Sequence, residues 1–369
     1  MRNLGKLAVL GITALGLALA GPQDNSLVIG ASQEPRVLAG DFLSVISNQA
    51  IKSEIEQYLF APFIGFNADS QNFPVLATEV PTLENGRLRV TDIGGGKKRL
   101  EMDITIRPDA KWSDGRPITT EDVAFYFEVG KAKGMPVLNP DFWERVNVRI
   151  KDARNFTLIF EPAYYYDTYG PINTYAPKHI MGPEWERVKA AARGLDPQKD
   201  AEKLNELYRN FFIKFSTPQA LNRGAMVYSG PFMLRRWVPG NSIEMVRNPN
   251  FPIKPEGGES KYVQKVVYRF IQNTNSLLVA VIGGSIDATS SVSLTFDQGR
   301  SPQLVRRAPG RFDIWFVPGA IWEHIDINKF ENCQVVKDLG LNDKRTRQAI
   351  LHALNREGLV KAFFDGLQP

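Results

Sequence analysis

The sequence predicts a mixed α/β chain of more than one lobe, and three observations carry that expectation. Its 369 residues exceed what one ordinary core accommodates, and 43% apolar residues suffice to fill globular interiors. Strand-like and helix-like stretches interleave irregularly, with no tandem repeat or low-complexity tract, which argues against a solenoid. The third observation is local. Met102, Ile104 and Ile106 alternate as a half-buried strand does, and Ser113-Asp114-Gly115 supplies a turn whose glycine can take positive φ. Thr119 can then N-cap a helix with acidic Asp122 three residues on, and Val123, Tyr126, Phe127 and Gly130 follow at helical spacing.

Along the chain, Arg2 and Lys6 precede an apolar run from Leu7 to Leu19 and the small-residue end Ala18-Leu19-Ala20. Residues 1–20 therefore read as a secretory signal peptide cut after Ala20, since the run is short for a membrane span. No Cys follows the run, which argues against a lipid anchor there. Leu27 to Ala31 is a short buried strand opening into a polar loop, where Pro35 holds Glu34 extended. Ile51 to Phe60 reads as a helix and Phe156 to Glu161 as a strand bounded by Pro162. Between Glu184 and Phe212 the pattern is helical, with Trp185 and Val188 on one piece and Leu204, Leu207, Tyr208, Phe211 and Phe212 on the next. Phe232 to Val238 and Ser242 to Arg247 flank Pro239-Gly240-Asn241 as a hairpin. Lys254 to Ser260 reads as a loop, and Tyr262 to Ile271, Phe312 to Val317 and Glu323 to Ile327 as strands. The end is helical, with Asp343 as N-cap, one apolar face at Ile350, Ala353 and Leu354, and another at Leu359, Val360, Phe363 and Phe364.

The Ile106 to Val123 stretch, with its Lys111-Trp112-Ser113-Asp114-Gly115-Arg116-Pro117-Ile118-Thr119 core, resembles a signature of the family-5 extracellular solute-binding proteins, the peptide and nickel class that serves ABC importers. Weaker segments follow in the family's order. Gly30 to Pro35 resembles the entry strand and pocket loop, and Phe73 to Ala77 the P-x-L-A element. Tyr228 to Leu234, with Trp237, Pro239 and Gly240, is similar to the G-P-F segment, and Arg247 to Phe251 follows it as R-N-P-x-F. Gly284 to Asp287 matches a G-x-I-D turn, and Asp343 to Glu357 the R-x-A-I…N-R-E helix.

The resemblance implies an α/β, periplasmic-binding-protein-like clamshell (type II, three-lobe cluster) with an incomplete third lobe. Lobe I would take residues 21–60 and 175–270, lobe II would be inserted as 61–174, and the start of a truncated lobe III would be 271–369. The function implied is the substrate-binding component of an ABC importer, which captures peptides outside the cytoplasm by hinge closure and delivers them to the membrane permease. The alternative is a transport-incompetent exported fragment, or a binder of another family ligand such as a nickel chelate, haem or an oligosaccharide. Expected partners are a peptide and the permease subunits, with the chain itself a monomer, periplasmic or otherwise extracytoplasmic. Candidate ligand contacts are Ser32, Gln33 and Glu34 at the exit of the first strand, where open α/β sheets bind ligands. Asn328 joins them through a resemblance to a ligand-facing family strand, with Trp322 just upstream. The tyrosines 164, 165, 166, 169 and 175 could line a cleft, because each offers an apolar face and a hydroxyl.

Other chemistry finds little support. His179, His324 and His352 stand far apart without metal-ligand spacing, so neither a metal nor another cofactor is expected. Gly94-Gly95-Gly96-Lys97-Lys98 lacks the strand–GxxxxGK[ST]–helix context of a phosphate loop and reads as a hairpin tip, and no G-x-S-x-G elbow occurs, so no enzyme is predicted. The formal charge of +5 falls by two without Arg2 and Lys6, and no basic stripe with interleaved aromatics supports a nucleic-acid partner. The single Cys333 has no partner for an internal disulfide.

Overall fold

A computed structural model describes residues 25–67, 69, 71–164, 176–254, 257–258, 262–315 and 325–364. The predicted signal region lies outside them, as do Trp322, His324 and the tyrosines 165, 166, 169 and 175. The chain divides into two units, Met1–Leu294 and Thr295–Pro369. The first runs through β1 (Ser26–Ala31), α1 (Ala50–Leu59), a hairpin of β2 (Ile64–Phe66) and β3 (Asn72–Pro74), then β4 (Leu88–Gly94), β5 (Lys97–Thr105), α2 (Thr120–Gly130), α3 (Pro140–Arg145), β6 (Val146–Ile150) and β7 (Asn155–Phe160). It continues with α4 (Lys178–Ala192), α5 (Ala201–Ser216), α6 (Pro218–Asn222), β8 (Phe232–Val238), β9 (Ser242–Arg247), β10 (Lys265–Phe270), α7 (Thr274–Ile282) and β11 (Ala288–Thr289).

Two larger sheets organise this unit. The first has the order β11-β1-β10-β9-β8, with β1 parallel to both β10 and β11 and β8, β9 and β10 antiparallel in sequence. Nearly every residue of β1 is buried, as a central parallel strand covered on both faces requires. The second sheet, β4-β5-β7-β6, is wholly antiparallel. One face of its β5 is apolar, with Leu100, Met102 and Ile104 buried as the alternation predicts. The other face carries cross-strand ion pairs, among them Arg89 to Asp103 at 2.6 Å and Lys151 to Asp103 at 2.7 Å. Gly94, Gly95 and Gly96 close the β4–β5 hairpin, all at positive φ, with no other part of the protein within 4 Å of where a Cβ would stand at any of them.

The sequence reading places residues 271–294 in lobe III, yet β11 pairs with β1, and Leu277 of α7 packs with Val28 and Ile286 in one buried cluster. These residues complete the first sheet, and the second unit starts at Thr295. The two-residue β11 has no hydrophobic run long enough to announce itself as a strand.

The Trp112-Ser113-Asp114-Gly115 turn is a joint between the two sheets' surroundings. Ser113 N donates to the Tyr228 carbonyl at 2.8 Å, and Tyr228 N donates back to Ser113 Oγ at 3.0 Å. Asn250 Nδ2 holds the Ser113 carbonyl at 3.0 Å, and His179 Nε2 lies 2.9 Å from Asp114 Oδ2. Thr119 caps α2 in the predicted box with Asp122. The buried Asp122 carboxylate also receives Lys178 N at 2.9 Å and the Trp112 indole N–H at 3.3 Å. Tyr228 to Pro231 passes directly under α1: Gly230 N donates to Leu59 O at 2.8 Å, and a Cβ there would stand 2.6 Å from the Leu59 backbone.

A polar cluster is buried where the loop after β1 meets α1. Lys52 Nζ lies 3.3 Å from Glu56 Oε2 and donates to the Asp41 carbonyl at 2.9 Å, while Glu56 Oε1 accepts from Ala39 N at 2.9 Å. The Asp41 carboxylate collects the amides of Val45, Ile46 and Ser47. Burial pushes the Glu56 carboxyl up to about 7, an effect that Lys52 only partly offsets.

In the second unit, α8 (Phe296–Gly299) and α9 (Pro302–Val305) are single turns, followed by α10 (Gln334–Asp338), α11 (Lys344–Ala353) and α12 (Arg356–Phe364). Asp343 caps α11 by accepting from Arg345 N, as predicted. The predicted strands at 312–317 and 323–327 do not form within the described residues: Phe312 to Trp315 and Ile325 to Ile327 have no ladder partner. Apolar content at those positions signals burial, yet Trp315 is 79% exposed and Ile325 63% exposed.

Two outcomes follow from this packing. Trp112 is fully buried, so Trp112→Ala is expected to cost about 3–5 kcal/mol in denaturant unfolding. For Glu56 the sign is set by a folded value near 7 above the ordinary 4.5: its contribution to stability is complete below the lower value and is lost as pH rises through the upper. Wild-type stability relative to Glu56→Gln is expected to fall by about 3 kcal/mol between about pH 4.5 and pH 8, measured by urea melts across that range.

Candidate functional site

The strands β1 and β10 run in the same direction, so their carboxyl ends meet at one edge of the first sheet, joined there by the end of β11. Open α/β sheets bind ligands at such an edge, because the polypeptide leaves each strand there as a loop with unpaired backbone groups. Ser32, Gln33 and Glu34 lie on the loop leaving β1. Ser32 continues the ladder, since its N–H and its Oγ both donate to the Val292 carbonyl, at 2.9 and 3.0 Å. Gln33 is exposed at the edge.

Glu34 is committed elsewhere. Its Oε1 accepts the Trp237 indole N–H at 2.7 Å and its Oε2 accepts Gly240 N at 2.8 Å. The carboxylate ties the β1 loop to the turn of the β8–β9 hairpin, and Trp237 is fully buried beneath it. Glu34 thus holds the loop in place, and the Gln33 side chain beside it is exposed. A contact between residues 203 positions apart leaves no local trace in the sequence.

The segment after β11 completes the edge. Ser290 N donates to the Gly30 carbonyl at 2.9 Å, and Val292 N to Ser290 Oγ at 3.0 Å. Glu54, on α1, accepts from Tyr268 OH at 2.8 Å, Ser290 Oγ at 2.9 Å and Ser291 N at 3.1 Å. Burial, then the neighbouring Tyr58 and Glu54, raise the Tyr268 phenol, so it stays protonated as a donor. Sequence reasoning misses Glu54, Tyr268 and the serines of 290–293; the run Ser290-Ser291-Val292-Ser293 is the only visible hint.

Of the remaining candidates, Asn328 lies in the second unit, exposed, with its Oδ1 accepting from Phe330 N at 2.9 Å. Tyr164 is 39% exposed, with the Arg145 guanidinium 3.8 Å from its ring centre. Two open depressions of about 710 and 520 Å³ lie against α4 and include none of the predicted site residues. Their charges are mutually engaged, Lys189 with Glu128 and Lys178 with Glu121. Among the described residues no three His, Cys, Asp or Glu side chains could jointly hold a metal ion, and no helix is long and apolar enough to cross a membrane.

A sequence model of the bacterial extracellular solute-binding proteins, family 5 (middle region), matches residues 97–369. The chain is 98% identical to an oligopeptide-binding protein from Thermus thermophilus whose crystal structure was solved in complex with a pentapeptide, with a TM-score of 0.88, covering 95% of this chain and 58% of that one. It is 23% identical to the oligopeptide-binding protein AppA of Bacillus subtilis, over 93% of this chain and 52% of AppA. It is 24% identical to a probable ABC transporter-binding protein of Deinococcus radiodurans, over 73% of this chain and 43% of that protein. The chain thus spans about half the length of the curated relatives it matches.

The Glu34 contact yields a test. Glu34→Ala leaves the buried Trp237 N–H without its acceptor and is expected to cost about 1–3 kcal/mol of stability by thermal or urea unfolding.

Proposed function

Because the chain belongs to the bacterial extracellular solute-binding proteins of family 5, we propose that it is the substrate-binding component of an ABC importer and that its ligand is a peptide. The observation that carries this reading is the 98% identity to an oligopeptide-binding protein crystallised with a pentapeptide. The geometry supports it: at the carboxyl ends of β1 and β10 the loop leaving β1 places the exposed Gln33 next to Ser32, which bonds to segment 290–293. A peptide pairs with such an edge through its main chain, so affinity is largely independent of its side chains and selectivity is broad. Gln33 supplies an amide with both donor and acceptor. The action is binding and release without covalent chemistry, outside the cytoplasm, after a leader is removed behind Ala20, with delivery to permease subunits in the membrane. Trp322 and Asn328 remain candidates for additional contact.

Native mass spectrometry of the exported protein is expected to show co-purified short peptides and a mature chain starting at Gly21. In calorimetry with a pentapeptide library, Gln33→Ala is expected to weaken binding by about 0.5–1.5 kcal/mol, the net worth of one hydrogen bond. Capture of a nickel chelate, haem or an oligosaccharide in place of peptide would overturn the assignment.

A further inference from the structure

The Glu54 carboxylate accepts four hydrogen bonds. Its Oε1 accepts from Tyr268 OH at 2.8 Å, and its Oε2 accepts from Ser290 Oγ at 2.9 Å, Ser291 N at 3.1 Å and Ser291 Oγ at 2.5 Å. Three donors crowd Oε2 and the Tyr268 hydroxyl takes one of the two lone pairs of Oε1, so most of the carboxylate's accepting capacity is spent within the protein. Three of the four come from the segment after β11, which in turn holds the loop after β1: Val292 O accepts both Ser32 N and Ser32 Oγ. Tyr268 anchors the opposite oxygen from β10, and its own ring is fully buried. One side chain on α1 therefore gathers the ends of β10 and β11 and, through Val292, the end of β1.

We propose that Glu54 is a positioning residue for peptide capture: it fixes the Ser290–Val292 segment, which fixes Ser32, and thereby sets the backbone of Ser32–Gln33 against which a peptide pairs. This rests on the peptide-binding reading above. Glu54 acts through other residues and touches no ligand itself. A merely structural role would lower global stability without selective loosening at the edge, so the test reads local order and ligand contact separately.

The experiment uses the full chain, hydrogen exchange read amide by amide, and a pentapeptide library carrying a benzophenone photo-cross-linker. In the wild-type chain, cross-links are expected to map to residues 32–34 and 290–293. In Glu54→Ala, exchange at the Ser291 and Ser32 amides is expected to rise about tenfold and cross-linking to fall about tenfold, while exchange in α2 and α5 is unchanged. Glu54→Gln can keep its carbonyl toward the serine donors and turn its amide to the Tyr268 hydroxyl oxygen, so it is expected to retain both properties within about threefold. If Glu54→Ala fails to fold, Ser291→Ala at its exposed position carries the same expectation in the same direction. Wild-type cross-linking in a folded Glu54→Ala or Ser291→Ala chain would overturn the positioning role and leave the ligand reading intact. Wild-type cross-links that map away from both segments would overturn the ligand reading and this proposal with it.

Discussion

The Asp122 carboxylate is the point on which the first unit depends. It closes the capping box of α2, accepts the Trp112 indole N–H and receives the first amide of α4. The neighbouring Trp112 and Thr119 and the distant start of α4 thus share one buried carboxylate. Burial raises its carboxyl above the ordinary range, and the amides of Thr119 and Lys178 oppose that shift by stabilising the charged form. A buried carboxylate is tolerated only when its lone pairs are filled, so each partner is held in place by the cost of leaving it. Around this point Ser113 and Tyr228 exchange hydrogen bonds in both directions, which ties the turn before α2 to the segment leading into β8.

The same logic recurs at the carboxyl edge of the first sheet. Glu34 and Glu54 are both acidic residues near an expected binding loop, and composition alone would cast either as a ligand contact. The structure commits both to backbone and side-chain donors of the protein itself. Gln33 and Ser291 are exposed there, while the hydroxyls of Ser290 and Ser291 are turned to Glu54.

Local signals make much of this legible. The alternation through Met102 and Ile104, the capping box at Thr119 and Asp122, the hairpin turn at Gly240 and the cap at Asp343 are all decided within a few residues, and the structure realises each one. Elements decided by distant partners are not legible. The β11 strand pairs with the flank of β1, and the Glu34 bond to Trp237 joins residues on distant strands. Glu54 carries no motif at all, and its meaning is set by serines 236 and 237 positions away. At Phe312 and Ile325 the mismatch runs the other way, since apolar residues suggest strands where no neighbouring strand pairs with them.

The β4–β5 hairpin inverts the usual relation between a gentle change and a drastic one. Gly94, Gly95 and Gly96 all hold positive φ, so replacing any one by a residue with a side chain strains the turn even though open space surrounds it. Lengthening the loop removes that strain, because added residues relieve the backbone of its tight reversal, and loop closure grows costlier only slowly with length. The tip is therefore a natural port for grafting an epitope, a fluorophore-bearing tag or a surface tether, since an added loop meets no packed neighbour there whereas an alanine carries a backbone strain of about 1–2 kcal/mol.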